Sequence, residues 1–446
     1  MFQSITDDRK LALEIWHAGV IAAHPNSLIP AIWNCLGELP KPTPILVLGG
    51  GKAGAAMANA LVRSAPTFAR LHGIINVPDD QGGAQNEARD LVLHPSRPPG
   101  GNLPTDEGMV GSSRQLELAA SAPAGTIGIC LLSGGASALM PLPAKQISLP
   151  EKLETTRLLQ RAGADIKILN ATRKHLSSIK GGWLAHAWSK SPAGLANNNL
   201  WTFAISDVVN DDASVIGSGP TVPDPSTFKS TWDQLKTLGV ASLLPKSVIK
   251  RFEEGIQGRV AETPKELPDQ FPYHMLGNNR RSLEGSANRA KNSNCNVQIF
   301  PKPMEGPIDR VAQNIVTDII KCQPIPGTPL VLLWGGEPTV VLPPGSGKGG
   351  RNQELALRVG KLLPSEWVRK TTLLCGGTDG EDGPTDAAGG FFDRESLELA
   401  YRTAFDISKA IESHSSYEAH KNLGSMLKTG WTGTNVADIV VAIIRA

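Results

Sequence analysis

Cysteine is scarce in this 446-residue chain and is nowhere organised. The five thiols (Cys35, Cys130, Cys295, Cys322, Cys375) are scattered, odd in number and never spaced as C-x-x-C. Such thiols suit a reducing compartment, and Cys130 and Cys375, set inside apolar runs, read as small buried hydrophobes. The nine histidines form no H-E-x-x-H motif and no tight His/Cys cluster, which argues against a zinc centre. No apolar run approaches the roughly 18 residues of a membrane span. The opening MFQSITDDRKLALEIWHAG also lacks the apolar core of a signal peptide, so a cytoplasmic protein is expected, with no membrane partner. Neither sign of charge is in excess: the net is +2, and nothing implies nucleic acid as a partner. The nine tryptophans form no stacking platform, and there is no solenoid-period repeat.

Glycine, by contrast, is abundant. Its 46 residues exceed the usual share of about 7%, and they gather at the ends of apolar runs. Strand-like segments (PILVLGG, HGIINV, TIGICLLSGG, LWTFAIS, CNVQIF, PLVLLWGG, TTLLCGG) alternate with helical ones such as 7–23, 53–64 and 107–120. That alternation predicts an α/β fold of mainly parallel sheets with helices on both faces. A chain this long favours two domains. The polar, proline-punctuated stretch 253–274 marks the boundary, giving domains over 1–255 and 270–446. Residues 78–105 read as a mostly irregular loop, long enough to act as a lid.

Four apolar runs end in glycine pairs: Gly49-Gly50, Gly134-Gly135, Gly335-Gly336 and Gly376-Gly377. In open α/β sheets, ligands bind beyond the carboxyl ends of strands, where glycine lets backbone N–H groups form anion-binding nests. Strand-to-helix turns also need glycine for their own sake, so a single pair says little. Four pairs, two in each predicted domain, suggest two domains facing one cleft with phosphate-binding walls. Side chains suited to phosphate accompany them: Lys52 at the first, Ser133 and Ser137 at the second, and Glu337, Lys348, Arg351, Asn352 and Glu354 after the third. The fourth carries Asp379, Glu381, Asp382 and Asp386, and Asp207, Asp211 and Asp212 follow another strand. Carboxylates beside phosphate-binding turns make sense when a divalent cation stands between them.

Individually the motifs are weak. Gly49, Gly51 and Gly54 satisfy G-x-G-x-x-G, and Asp79-Asp80 stand near the place of a ribose-binding acid, so a dinucleotide site remains open on pattern. Lys52 inside the turn argues against it, and the absence of a following Ser or Thr rules out Walker A. Arg351, where the glycines of GSGKGGR end and a helix begins, is well placed to grip a carboxylate or phosphate bidentately. The basic helix around Arg173, Lys174, His175 and Lys180 reads more simply as a solvated face, and His94, in a proline-flanked loop, as either a general base or a structural histidine.

Read together, GGGKAGAAMANAL, LLSGGASALMPLPA, LNATRKHLSSIKGGWLA, ISDVVNDDASVIGSGPTVPDPST, GEPTVVLPPGSGKGGRNQELAL, GGTDGEDGPTDAAG and LKTGWTGTNVADIVV resemble the glycerate 2-kinase family with its C-terminal MOFRL module. The resemblance covers nearly the whole chain, in family order. It implies two α/β domains with Rossmann-like sheets around a central cleft, and phosphorylation of D-glycerate at its 2-hydroxyl with ATP and Mg2+. By that resemblance Lys52 and Arg351 are the catalytic cations and Asp207 the base or positioner of the hydroxyl. Metal falls to Asp379 with Asp382, and the roles of Asp207 and Asp379 are exchangeable. Nucleotide contacts fall to Gly49, Gly50, Gly51, Ser133, Gly134, Gly135, Ser137, Gly335, Gly336 and Glu337. Asn210, Ala136 and the displaced acid Asp106 depart from the family pattern. The partners implied are small molecules, and a homodimer is left open. Two other readings stay on the table: a nicotinamide-dependent hydroxypyruvate reductase, and a non-catalytic sensor of a sugar phosphate or hydroxy acid.

Overall fold

The computed structural model describes residues 7–81, 90–98, 103–197, 199–208, 210–268 and 271–446. These fall into two compact units, one spanning Leu28–Leu276, the other joining the residues up to Ser27 with Gly277–Ala446.

The first unit holds β1 (Thr43–Gly50), β2 (Ala69–Pro78), β3 (Leu91–Arg97), β4 (Ile127–Ser133), β5 (Leu200–Ile205) and β6 (Tyr273–Gly277), in the spatial order β3-β2-β1-β4-β5-β6. Strands β1 to β5 pair in parallel. The chain builds outward from β1 through β2 and β3, then returns to β1's other side as β4. Such a reversal opens a crevice at the carboxyl ends of β1 and β4, where α/β proteins place ligands. Both strands are buried almost throughout, which is why they read as unbroken apolar runs rather than alternating ones.

The stretch 78–105 is less irregular than its composition implies, because β3 runs through it. As an edge strand β3 tolerates Pro95, and its end is fixed by Asp79, whose Oδ1 accepts from the Arg97 N–H at 2.7 Å. The lid expected of this loop falls largely on 82–89 and 99–102, outside the described residues.

The second unit contains β7 (Asn296–Ile299), β8 (Met304–Pro307), β9 (Leu330–Thr339), β10 (Thr371–Gly377), β11 (Gly389–Phe392), β12 (Met426–Leu427) and β13 (Asp438–Ile444). Their order is β12-β11-β10-β13-β9-β7, with β8 also on β9. Parallel pairs predominate across the two sheets together, and the chain is an α/β protein. This second sheet is nevertheless mixed, since β13 runs antiparallel to both β9 and β10. Every residue of β13 is buried.

The helix Asp7–Ala22 forms where its periodicity predicts, but it belongs to the second unit rather than to the 1–255 domain its position suggested. Ile15, Trp16 and Val20 share a core with Leu283, Leu333 and Val441. Arg9 makes a buried ion pair with Asp393 at 2.5 Å. At the other end, the proline-rich stretch returns to the first sheet as β6, so the boundary lies at Leu276/Gly277 instead of 255–270. An amphipathic pattern specifies that a helix is covered, not which sheet covers it.

Candidate functional site

In the first unit, the first two glycine sites become neighbours because β1 pairs with β4, with Gly50 opposite Leu132. The turn after β1 is stitched to the turn after β4. The Lys52 N–H donates to Gly134 O at 2.8 Å, and the Ala53 N–H to Ser133 Oγ at 3.0 Å. The Gly51 and Gly54 N–H groups donate to Asn76 O and Gly51 O, and that of Gly49 to Gln115 Oε1 at 3.0 Å. A nest for phosphate at 49–54 was expected, but these donors are already engaged by the protein itself. The glycines serve close packing instead: a Cβ on Gly49, whose φ is +128°, would lie 1.9 Å from Leu131 O, and one on Gly51 2.1 Å from Ser133 Oγ. What the turn offers a ligand is the Lys52 side chain, whose Cγ lies beside Gly135.

Asp207 follows β5, the next strand over. Ser133 is in register with Ile205, so Ser206 and Asp207 extend the same carboxyl edge of the sheet. The Ser137 hydroxyl meets that of Ser218 at 3.0 Å.

In the second unit, the third and fourth glycine sites are joined through a residue that the sequence did not single out. Asp438, fully buried at the start of β13, stands opposite Gly336 of β9 and Gly377 of β10. Its carboxylate takes Arg351 in a fork, from Nε at 2.6 Å and Nη2 at 3.0 Å, while Arg351 Nη1 donates to Glu337 Oε1 at 2.7 Å. Three of the five guanidinium N–H bonds are thus used to orient it. Burial works against its charge, yet Asp438 and Glu337 hold the Arg351 guanidinium above its ordinary range. Asp379 closes the same end of the sheet: it is buried after β10, with Oδ1 accepting from the Glu381 N–H at 3.1 Å. Gly335 again serves packing, since a Cβ there would fall 1.7 Å from Asn279 Oδ1. An acid opening the apolar run DIVVAII was the available signal for Asp438, because a carboxylate entering a buried strand needs a cation.

Asp382, expected beside Asp379 as a metal ligand, has other work. The helix Arg351–Leu362 begins at Gly350, which has no side chain to cap it. Asp382 caps it from afar, with Oδ1 accepting from the Asn352 N–H at 2.9 Å and Oδ2 from the Gln353 N–H at 2.8 Å, while the side-chain amides of both residues add further bonds. Burial pushes its pKa up to about 7, against donors that favour the ionised form. Its oxygens face the helix terminus, where negative charge is favoured.

His94 bonds the Glu107 carbonyl at 2.8 Å. His175 is buried between Ala171 O and Glu262, with Phe228 edge-on to its ring. Both are structural. Lys174 pairs with Asp224 at 3.4 Å. The basic helix is therefore not a solvated face, since Lys174, His175 and nearby Lys180 are all buried. Among the described residues no three His, Cys, Asp or Glu side chains gather as a metal cage, and no helix is long and apolar enough to cross a membrane.

The fold and these strand-end cations define a class, a two-unit α/β protein with a cationic side chain near the strand ends of each sheet. The model of a domain of unknown function (DUF4147) matches residues 11–253, and that of the MOFRL family matches 330–438. A glycerate 2-kinase of Pyrococcus horikoshii is 34% identical over 415 residues, covering 90% of this chain and 88% of its own. A D-glycerate 2-kinase of Thermotoga maritima is 33% identical over 440 residues, 98% of each chain. The human glycerate kinase is 31% identical, over 90% of this chain and 84% of its own. The crystal structure of Thermotoga maritima glycerate kinase superposes with a TM-score of 0.83 at 31% identity, covering 98% of this chain and 99% of that one. The chain belongs to the glycerate 2-kinase family.

Proposed function

We infer that the protein is a kinase that transfers the γ-phosphoryl group of ATP to the 2-hydroxyl of D-glycerate. The observation that carries this reading is the Arg351–Asp438 fork, which holds a permanent cation at the joined ends of β9, β10 and β13. Such a guanidinium is suited to a planar carboxylate or a transferring phosphoryl. Phosphoryl transfer asks a protein chiefly for positioning and for positive charge placed where negative charge spreads.

In this reading Lys52 stabilises charge on the phosphoryl in flight. Arg351 holds the glycerate carboxylate or the phosphoryl oxygens. Asp207 accepts a hydrogen bond from the 2-hydroxyl and orients its oxygen toward phosphorus. Asp379 is the proposed protein ligand for Mg2+, with Asp207 as the exchangeable alternative. Both are hard oxygen donors of the kind that ion takes, and a Mg2+ completed by phosphate oxygens and water needs only one or two carboxylates. When bound, the ion neutralises charge on the nucleotide phosphates. Ser133, Gly134, Gly135 and Ser137 remain the proposed phosphate-side contacts of the first unit, and Gly336 and Glu337 the proposed nucleotide contacts of the second.

The test is ADP release from purified protein given ATP, D-glycerate and Mg2+. The reading requires release that depends on all three. NADH oxidation on hydroxypyruvate without ADP release would assign the chain to the reductase reading. Binding without turnover, unaffected by Asp207→Asn and Asp379→Asn, would make it a sensor.

A further inference from the structure

Among the described residues of the first unit, two buried cations and one half-buried cation stand together without a carboxylate partner. Lys152 lies on the helix Leu149–Arg161, Arg173 on the helix Ile166–His175, and Lys180 on the segment that follows. Lys152 is only 5% exposed and its Nζ has no hydrogen-bond partner. Lys180 is 1% exposed and donates to neutral acceptors, Ser137 O at 2.9 Å and Gly217 O at 3.2 Å. Among the described residues, no carboxylate forms an ion pair with Lys152, Arg173 or Lys180. The acids on neighbouring elements are committed elsewhere. Asp224 serves Lys174, Ser226 and Thr263; Glu262 serves His175, the Phe228 N–H and Lys265; Glu151 serves Ser148 and Ser247.

Burial and the charges of Arg173 and Arg251 push Lys152 down to about 7, and Lys180 falls well below its ordinary value through burial and the charges of Lys152 and Arg173. Mutually repelling cations in a poorly solvated site are costly unless something of opposite charge meets them. One neutral group on the same face of the Arg173 helix is also unsatisfied: Asn170 Nδ2, in a residue only 5% exposed. The cluster is tied directly to the strand-end site. Ser218 Oγ donates to Asn170 Oδ1 at 3.1 Å and meets Ser137 Oγ, while Lys180 holds the Ser137 carbonyl. Ser137 belongs to the turn beside Lys52.

We propose that Lys152 and Arg173, with Asn170, form an oxyanion-binding subsite that takes an anionic group of one reactant, either the carboxylate of the hydroxy acid or a phosphate of the nucleotide. The choice of reactants rests on the kinase reading, whereas the subsite itself rests on the unpaired cations. An oxyanion supplies the counter-charge that Lys152 and Arg173 lack, with the Asn170 amide as a further donor on the Arg173 face of the helix.

Two variants test it. Lys152→Met removes a buried unpaired charge and keeps the side chain's length, so it should fold with a thermal midpoint at or above the wild type's. Asn170→Asp keeps the acceptor for Ser218 and adds a resident negative charge. Inorganic phosphate should raise the wild-type midpoint and do so markedly less in either variant. Titrations with D-glycerate and with ADP then separate the sources. A loss of at least tenfold in D-glycerate affinity alone identifies a carboxylate, and the same loss for ADP alone identifies a phosphate. Wild-type-like responses of both variants to phosphate, D-glycerate and ADP would overturn the subsite. If the wild type releases no ADP from ATP and D-glycerate, yet its stabilisation by phosphate is lost in Lys152→Met, the subsite stands and the kinase reading falls.

Discussion

Asp438 holds Arg351 by both of its carboxylate oxygens, at 2.6 and 3.0 Å, from the buried start of the strand that lies between β9 and β10. The guanidinium therefore enters the site with its plane fixed. Asp438→Asn should keep the shape but lose the charge-assisted fork. A charged hydrogen bond of this kind contributes about 2 kcal/mol, so the variant should melt earlier. Its turnover should fall as far as that of Arg351→Met, because an arginine that is present but misdirected serves little better than none. Melting curves and steady-state rates on the three proteins check this.

Lys52 is the side chain that the first unit's turn presents, the backbone N–H groups around it being engaged by Gly134, Ser133 and Asn76. Lys52→Met should lower kcat by roughly 100-fold or more, the usual cost of removing one preorganised donor to a developing anion. A normal kcat in the variant would remove Lys52 from the chemistry.

Gly49 separates the packing role of the glycine turn from a ligand role. Ala at this position places a Cβ 1.9 Å from Leu131 O at a φ of +128°. The expected result is a destabilisation of roughly 3 kcal/mol or more, seen as poor yield or a low denaturant midpoint. A stable Gly49→Ala protein with weakened ATP binding would instead favour a ligand nest.

Much of this architecture was legible in the sequence. The strands β1, β2, β4, β5, β9 and β10 announce themselves as apolar runs because they are largely covered, β7 shows the alternation of a half-exposed edge strand, and the helix Asp7–Ala22 shows its periodicity. Lys52 and Arg351 were legible as cations at strand ends. Three things were not. Residues far apart in sequence set the partners of Asp438, which lies 87 positions from Arg351 and joins it only because β13 inserts between β9 and β10. The same holds for Asp382, which reads as a metal ligand in an acidic loop until the uncapped helix at Gly350 is placed beside it. The glycine pairs looked alike on the page, but whether a missing Cβ makes room for a ligand or for the next strand depends on pairing, which composition does not encode.

His420 should make stability fall in mild acid. Its ring nitrogens lie 2.8 Å from Gln353 O and 2.7 Å from Ser425 Oγ in a fully buried site, where burial favours the neutral ring. Burial, together with the charge of Arg9, pushes it down to about 4 against those hydrogen bonds, whereas the unfolded chain binds the proton near pH 6.5. The unfolded state thus takes up a proton first. Stability from this group is intact above pH 6.5 and is lost as pH falls toward 4, at up to about 1.4 kcal/mol per pH unit. Urea midpoints measured from pH 7 to pH 4.5 should fall more steeply for the wild type than for His420→Gln; parallel slopes would contradict the assignment.

The most direct measurement follows the product of ATP, Mg2+ and D-glycerate with enolase as the coupling enzyme. Enolase accepts 2-phosphoglycerate as it is, whereas the 3-isomer must first pass through an added phosphoglycerate mutase. A kinase acting at the 2-hydroxyl gives full signal with no mutase present, and that is the result expected here. Signal appearing only once mutase is added would keep the kinase and contradict the position of transfer, and no signal in either case would contradict the phosphorylation of glycerate itself.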